Sequence, residues 1–257
     1  MTRRDFFKLS LKGVITAGLA KGLFELVKPE HILASTSNIR RVFLIDAHEC
    51  CGCGLCVKAC KLENEVPYES SVSRTWIERY VMTKDGKVHA DATNAGRDGF
   101  TSTKIDLGMG KYKDIKKEDI DKAFFVPKLC NQCENPSCVQ VCPVGATYQA
   151  ADGVVLVDRK WCIGCGYCIM ACPYGVRFFH PKYRTAEKCN FCYHRISKGL
   201  KTACVQACVF GSRKLGNLKD PNDPVTKTIM TERVWVLKEE YGTKPQVYYT
   251  NLSMEVR

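Results

Sequence analysis

Sixteen of the seventeen cysteines in this 257-residue chain fall into four sets of four, and no other feature narrows the possible folds as much. The first set is Cys50-x2-Cys53-x2-Cys56-x3-Cys60, and the second is Cys130-x2-Cys133-x4-Cys138-x3-Cys142. The third is Cys162-x2-Cys165-x2-Cys168-x3-Cys172, and the fourth is Cys189-x2-Cys192-x11-Cys204-x3-Cys208. Burial as small apolar residues does not generate four matching sets. A disulfide framework requires an unfolded chain delivered to an oxidising compartment, and it leaves the repeat unexplained. Structural zinc takes paired C-x2-C units separated by a dozen or more residues, whereas three of these sets add a third and fourth cysteine at once.

The first and third sets match the C-x2-C-x2-C-x3-C run of bacterial two-cluster ferredoxins, and Pro173 completes the match in the third. Cysteines two residues apart let a tight loop wrap a cubane and aim three sulfurs at three irons. Gly52, Gly54, Gly164 and Gly166 supply the backbone freedom and close approach such loops need. In two-cluster ferredoxins the fourth cysteine is carried off by a helix and ligates the other cluster. By that analogy four [4Fe–4S] sites are expected. Cys50, Cys53, Cys56 and Cys208 hold one, and Cys60, Cys189, Cys192 and Cys204 a second. Cys130, Cys133, Cys138 and Cys172 hold a third, and Cys142, Cys162, Cys165 and Cys168 the last. Cys51 is left over as a free thiol lining the first site, with substitution for Cys50 as its other reading. A zinc-binding structural or interaction module is the alternative to iron–sulfur.

The expected fold class is α+β, with two ferredoxin-like units, one inserted in the other, built from short strands, hairpins and helices. Arg41–Asp46 reads as a strand leading to the first set, and Thr147–Gln149 with Val154–Val157 as a hairpin turning at Asp152-Gly153. Val176–Phe179 reads as a strand after the third set. Short helices are expected after the third cysteine of each set, as over Tyr167–Ala171. The domain reading is a signal region over 1–34 and an outer unit beginning at 40–129. An inner two-cluster unit covers 130–181, and the second half of the outer unit with a tail covers 182–257. Residues 61–129 hold no cysteine and form an insertion, read either as a partner-gripping lobe or as a solvated excursion. Thr75–Met82 is its strand candidate. A helix ending near Met230 and a strand over Gln246–Thr250 complete the tail.

The net charge of +12 invites a nucleic-acid partner, but the arithmetic removes it. Residues 1–34 carry six basic and three acidic side chains, which leaves +9 on the remainder. Four cubanes, each at −2 with its four thiolates, bring that remainder to about +1. The other Lys and Arg residues are scattered, without a basic stripe or interleaved aromatics. No run of ~20 apolar residues is present to span a bilayer. The opening Arg3-Arg4-Asp5-Phe6-Phe7-Lys8, followed by a weakly apolar stretch, resembles a twin-arginine export signal. That predicts a periplasmic protein exported folded, with cofactors already inserted. His48, His89, His180 and His194 lack partners at metal or triad spacing and read as structural.

Beyond the cysteines, several segments carry a closer likeness. They are Leu129–Pro136 (LCNQCENP), Cys142–Thr147 (CPVGAT), Ala171–Gly175 (ACPYG), Lys188–Cys192 (KCNFC) and Gly242–Pro245 (GTKP). From about residue 40 onward the chain resembles the four-cluster iron–sulfur subunits of the dimethyl-sulfoxide-reductase type. The likeness is greatest to the exported subunits of polysulfide and tetrathionate reductases. Similar subunits occur in the membrane complex associated with dissimilatory sulfite reduction. Cys51 departs from that pattern, where an aliphatic residue is common. The resemblance implies a non-catalytic electron relay between a polytopic quinone-reactive membrane subunit and a catalytic subunit, commonly of molybdopterin type. An iron–sulfur subunit of a non-molybdenum membrane redox complex is the neighbouring alternative. An iron–sulfur enzyme with its own substrate site would need an open iron, and the complete four-by-four ligand count argues against it.

Overall fold

Four apolar side chains in a row, Val42 to Ile45, suit a strand covered on both faces rather than one. The computed structural model, which describes residues 37–108 and 111–256, bears this out. Strand β1 (Arg41–Asp46) is the middle of a three-stranded sheet. On one side it pairs antiparallel with Arg213–Asn217, setting Phe43 opposite Leu215. On the other it pairs parallel with Val247–Thr250, setting Phe43 opposite Val247. Phe43 and Ile45 enter the main core with Val57, Ile77, Val126, Leu129 and Tyr249. Val42 and Leu44 point the other way, onto Val225. Full burial of a side chain the size of Phe43 contributes about 2 kcal/mol.

The elements follow in chain order. Helix α1 (Leu55–Glu63) leads to β2 (Thr75–Thr83), β3 (Val88–Asp91), β4 (Lys104–Asp106), β5 (Tyr112–Asp114) and β6 (Ile120–Leu129). Then come α2 (Ser137–Gln140), the hairpin β7 (Thr147–Gln149) and β8 (Val155–Val157), and α3 (Tyr167–Met170). After β9 (Phe178–Phe179) and β10 (Ala186–Glu187) come α4 (Tyr193–Ile196), α5 (Ala203–Gln206), β11 (Arg213–Asn217), α6 (Pro224–Thr231) and β12 (Val247–Thr250). The molecule is thus a mixed α and β protein of short pieces. Asp223 caps α6, its carboxylate accepting from the Val225 and Thr226 amides at 2.8 and 3.4 Å, with Pro224 in the first turn.

Within residues 61–129 lie a three-stranded sheet of order β3-β2-β6 and the β4–β5 hairpin, with Ile77, Tyr80, Val126 and Leu129 in the main core. The long strand β6 has no clear sequence signal, because Asp121, Lys122, Pro127 and Lys128 interrupt its apolar pattern. It lies at the sheet edge, where proline is tolerated, and the Pro127 carbonyl accepts the Tyr249 hydroxyl at 3.1 Å. Val176–Phe179 forms only a two-residue strand, paired with β10. The reading of residues 1–34 as an export signal lies outside the described residues. Among the described residues no helix is long and apolar enough to cross a membrane.

Candidate metal centres

All four cysteine sets share one local geometry. The residue two positions after the first cysteine has a left-handed backbone in every set. It is Gly52 (φ 70°), Gln132 (φ 46°), Gly164 (φ 70°) and Phe191 (φ 52°). Two sets meet this demand with glycine; the other two place a larger residue there and hold it by packing and hydrogen bonds. Phe191 is buried against Phe43 with ring centroids 5.3 Å apart. The Gln132 side chain donates to the Cys189 carbonyl and accepts from the Val155 amide, each at 2.7 Å.

The third cysteine of each set is the second residue of a helix: Cys56 in α1, Cys138 in α2, Cys168 in α3 and Cys204 in α5. These helices thus begin one residue before the third cysteine, and α3 matches the expected Tyr167–Ala171 to within one residue. Gly54 and Gly166 precede α1 and α3 with φ of 78° and 80°. Sets from distant parts of the chain meet through these helices, since α1 packs on α5 and α2 on α3.

Cys60, Cys189, Cys192 and Cys204 line one small, largely enclosed cavity with Phe43, Asn64, Arg74 and Phe191. All four cysteines are buried. The Asn64 amide donates toward the sulfurs of Cys60 at 3.5 Å and Cys192 at 3.9 Å, and Thr202 Oγ1 lies 3.5 Å from Cys204 Sγ. Burial raises the Cys60 and Cys189 thiols, and crowding by neighbouring thiols adds to it. Arg74 Nη1 donates to Asn64 at 2.6 Å and Nη2 pairs with Glu187 at 2.9 Å, which fixes the asparagine.

Around Cys50, burial pushes the thiol up to about 12, opposed by the Gly52 amide and Arg213. Cys56, raised chiefly by burial, has Cys53, Cys204 and Cys208 among its electrostatic neighbours. Cys53 and Cys51 are exposed while Cys50 is half-buried. The Cβ that an alanine would add at Gly52 lands 2.6 Å from the Phe125 ring, and one at Gly54 lands 2.2 Å from the Arg97 carbonyl. The 61–129 lobe therefore packs directly over the first cysteine loop.

Cys133 is likewise pushed up to about 12, by burial first and then by Cys130, Cys138 and Cys172. Cys142 goes the other way. Burial raises it, but hydrogen bonds from the Thr147, Val144 and Ala146 backbone outweigh that and lower the thiol. The Ala186 amide donates to Cys162 Sγ at 3.4 Å. The α2–α3 contact, with Ser137 Oγ donating to the Ala171 carbonyl at 2.9 Å, brings the segment of Cys138 and Cys142 to that of Cys168 and Cys172. Cys165 is exposed.

This donor set suits iron–sulfur clusters. The four cysteines of the buried set line one shared cavity with no carboxylate or imidazole among its described lining residues, the all-sulfur surroundings a cubane takes. The histidines do not join any set. His194 Nε2 lies 2.6 Å from Glu63 Oε1, tying α4 to α1, and the wholly buried His180 accepts backbone N–H groups at Nδ1. No motif flags Asn64, Arg74, Arg177 and Arg213 beside the thiols, because asparagine and arginine ordinarily sit on surfaces.

A polycysteinyl, all-thiolate binder of more than one cluster is the class this fold and donor set define. Residues 121–218 match the family described as 4Fe-4S dicluster domain. A tetrathionate reductase subunit of Salmonella typhimurium is 37% identical over 258 residues, covering 98% of this chain and 88% of the relative. Its namesake from Archaeoglobus fulgidus is 40% identical over 214 residues, covering 83% of each. The Hdr-like menaquinol oxidoreductase iron-sulfur subunit 1 of that archaeon is 40% identical over 175 residues, 58% of this chain and 65% of the relative. The chain belongs to the family of 4Fe–4S electron-transfer subunits of reductase complexes that includes these tetrathionate reductase subunits. It is an iron–sulfur subunit of an oxidoreductase complex.

Proposed function

We propose that this chain is a non-catalytic wire of four [4Fe–4S] clusters linking a quinone-reactive membrane subunit to a catalytic redox subunit, the latter of molybdopterin type. The ligand groups are Cys50, Cys53, Cys56 with Cys208; Cys60 with Cys189, Cys192, Cys204; Cys130, Cys133, Cys138 with Cys172; and Cys142 with Cys162, Cys165, Cys168. They fall in two ferredoxin-like units, an inner one over 130–181 and an outer one contributed by 40–129 and 182–257. The observation carrying this reading is the cavity lined jointly by Cys60 and by Cys189, Cys192 and Cys204, residues that only the crossed grouping unites. Contacts of α1 with α5 and of α2 with α3 agree with it.

Bound clusters supply one-electron chemistry with potentials set by charge, hydrogen bonding and burial. The chain's own residues hold the thiolates, exclude water with Phe43, Phe125 and Phe191, and aim amide donors at sulfur. The twin-arginine likeness at Arg3-Arg4 supports a periplasmic location, with the chain associated with the membrane through partners. A non-molybdenum membrane complex is a second reading, favoured by the similarity to the menaquinol oxidoreductase subunit.

Anaerobic purification with iron, labile sulfide and zinc determination tests the wire. About sixteen iron and sixteen sulfide per chain, with a brown colour that bleaches on reduction, are expected. Stoichiometric zinc without sulfide overturns it. Molybdenum in the co-purifying complex separates the two partner readings.

A further inference from the structure

Two of the four cysteine sets are followed, five residues after their last cysteine, by an arginine. Arg177 follows Cys172, and Arg213 follows Cys208. The intervening turns are alike. Gly175 and Gly211 have φ of 62° and 70°, and their amides donate to the Cys172 and Cys208 carbonyls at 3.3 and 3.4 Å. Both arginines end up inside the protein, Arg213 at 2% exposure and Arg177 at 4%.

A buried guanidinium costs several kcal/mol unless opposite charge and hydrogen-bond acceptors meet it. Neither arginine forms an ion pair with a carboxylate among the described residues. Both Nη atoms of Arg213 and Nη2 of Arg177 are buried without a hydrogen-bond partner. Arg177 Nη1 donates to the Thr147 hydroxyl at 3.3 Å. What faces them is sulfur. Burial opposes each charge; the groups that favour it are Cys56, Cys204 and Cys50, with Tyr249, at Arg213, and Cys138, Cys168 and Cys130 at Arg177. On the ligand grouping proposed above, each trio draws from both clusters of one unit. Cys50 and Cys56 belong to one outer site and Cys204 to the other, while Cys130 and Cys138 belong to one inner site and Cys168 to the other.

We propose that Arg213 and Arg177 are the shared counter-charges of the two cluster pairs, each a positioning residue that fixes one positive charge between two anionic sites and raises the potentials of both. The inference rests on the proposed ligand grouping. A four-thiolate cubane carries −2 when oxidised and one further negative charge when reduced, so a fixed cation favours the reduced form. Arginine keeps its charge whatever the pH, and its planar fork can face two sites at once. The low dielectric of the interior strengthens the effect over that of the scattered surface lysines.

The test is an EPR-monitored redox titration of the full chain, with iron and sulfide measured on the same samples. Arg213→Gln is expected to keep about sixteen iron and to move two of the four midpoint potentials downward. Arg177→Gln is expected to move the other two, and each Lys variant to recover most of its shift. Full iron content with all four potentials unchanged, or an equal shift of all four, overturns the inference. If a Gln variant loses iron, its Lys partner decides. Retained clusters with near-native potentials support the charge role, whereas equal loss in both variants overturns it. Wild-type protein lacking about sixteen iron sinks the ligand grouping itself, a failure visible before any variant is made.

Discussion

Single side chains set the terms of cluster binding here, through burial more than through charge. Without a cluster, the Cys50 and Cys133 thiols sit near 12 and stay protonated at neutral pH. On the proposed ligand grouping cluster insertion displaces those protons, so reconstitution of stripped protein should gain yield as pH rises from about 6 to about 8.5. Recovery of the visible absorbance at each pH checks this, and a yield that falls over that range contradicts it. The buried Glu187 gives the opposite sign. Burial works against its carboxylate, but Arg74 and Arg159 outweigh that and hold its pKa below the ordinary value. Its stabilisation is present above about pH 4.3 and is lost as pH falls below that. Glu187→Gln leaves Arg74 buried without its acid beside the Cys60 cavity, and should cost about 3 kcal/mol by denaturant titration.

At the scale of the element, turns decide more than propensities do. Gly54 combines a φ of 78° with a Cβ position 2.2 Å from the Arg97 carbonyl, whereas Gly86 has a similar φ of 79° with open space around it. Gly54→Ala should therefore lose about four of the iron atoms, while Gly86→Ala should keep them all and cost about 1 kcal/mol. Iron analysis beside a melting curve separates the two. Asp223→Ala removes the α6 cap and should cost about 1 kcal/mol with no change in iron. Strand β1, the β7–β8 hairpin and β12 are legible in the sequence because apolar runs and an Asp-Gly turn mark them. β6 is not, since its charged N-terminal half and Pro127 hide a strand that only edge position and sheet pairing permit. The cysteine spacing makes the four-by-four pattern legible, and the structure gathers Cys60 with Cys189, Cys192 and Cys204 around one cavity. The spacing does not announce Arg177 and Arg213, whose burial makes sense only once thiols from two sets converge on them. Nor does it reveal the left-handed backbone at Gln132 and Phe191, which no glycine flags.

Taken as a whole, the molecule carries a charge that depends on its cofactors. With neutral thiols the full chain stands at +12, and four clusters at −2 each bring it to about +4. Protein stripped of clusters should bind a cation exchanger more tightly than the brown form and elute at clearly higher salt. Coincident elution of the two forms would contradict the sixteen-thiolate count. The low residual charge also fits a subunit that meets other proteins rather than a polyanion.

The placing of β1 has a consequence for how the molecule comes into being. Its four apolar residues are made well before either hydrogen-bonding partner, because both edges are supplied by segments far later in the chain, β11 and β12. Until residues 213–217 and 247–250 arrive, Val42 to Ile45 form a bare, aggregation-prone strand with nowhere to dock. The interior around β1 therefore closes only once both distant partners have been made, so its assembly depends on contacts of high sequence separation.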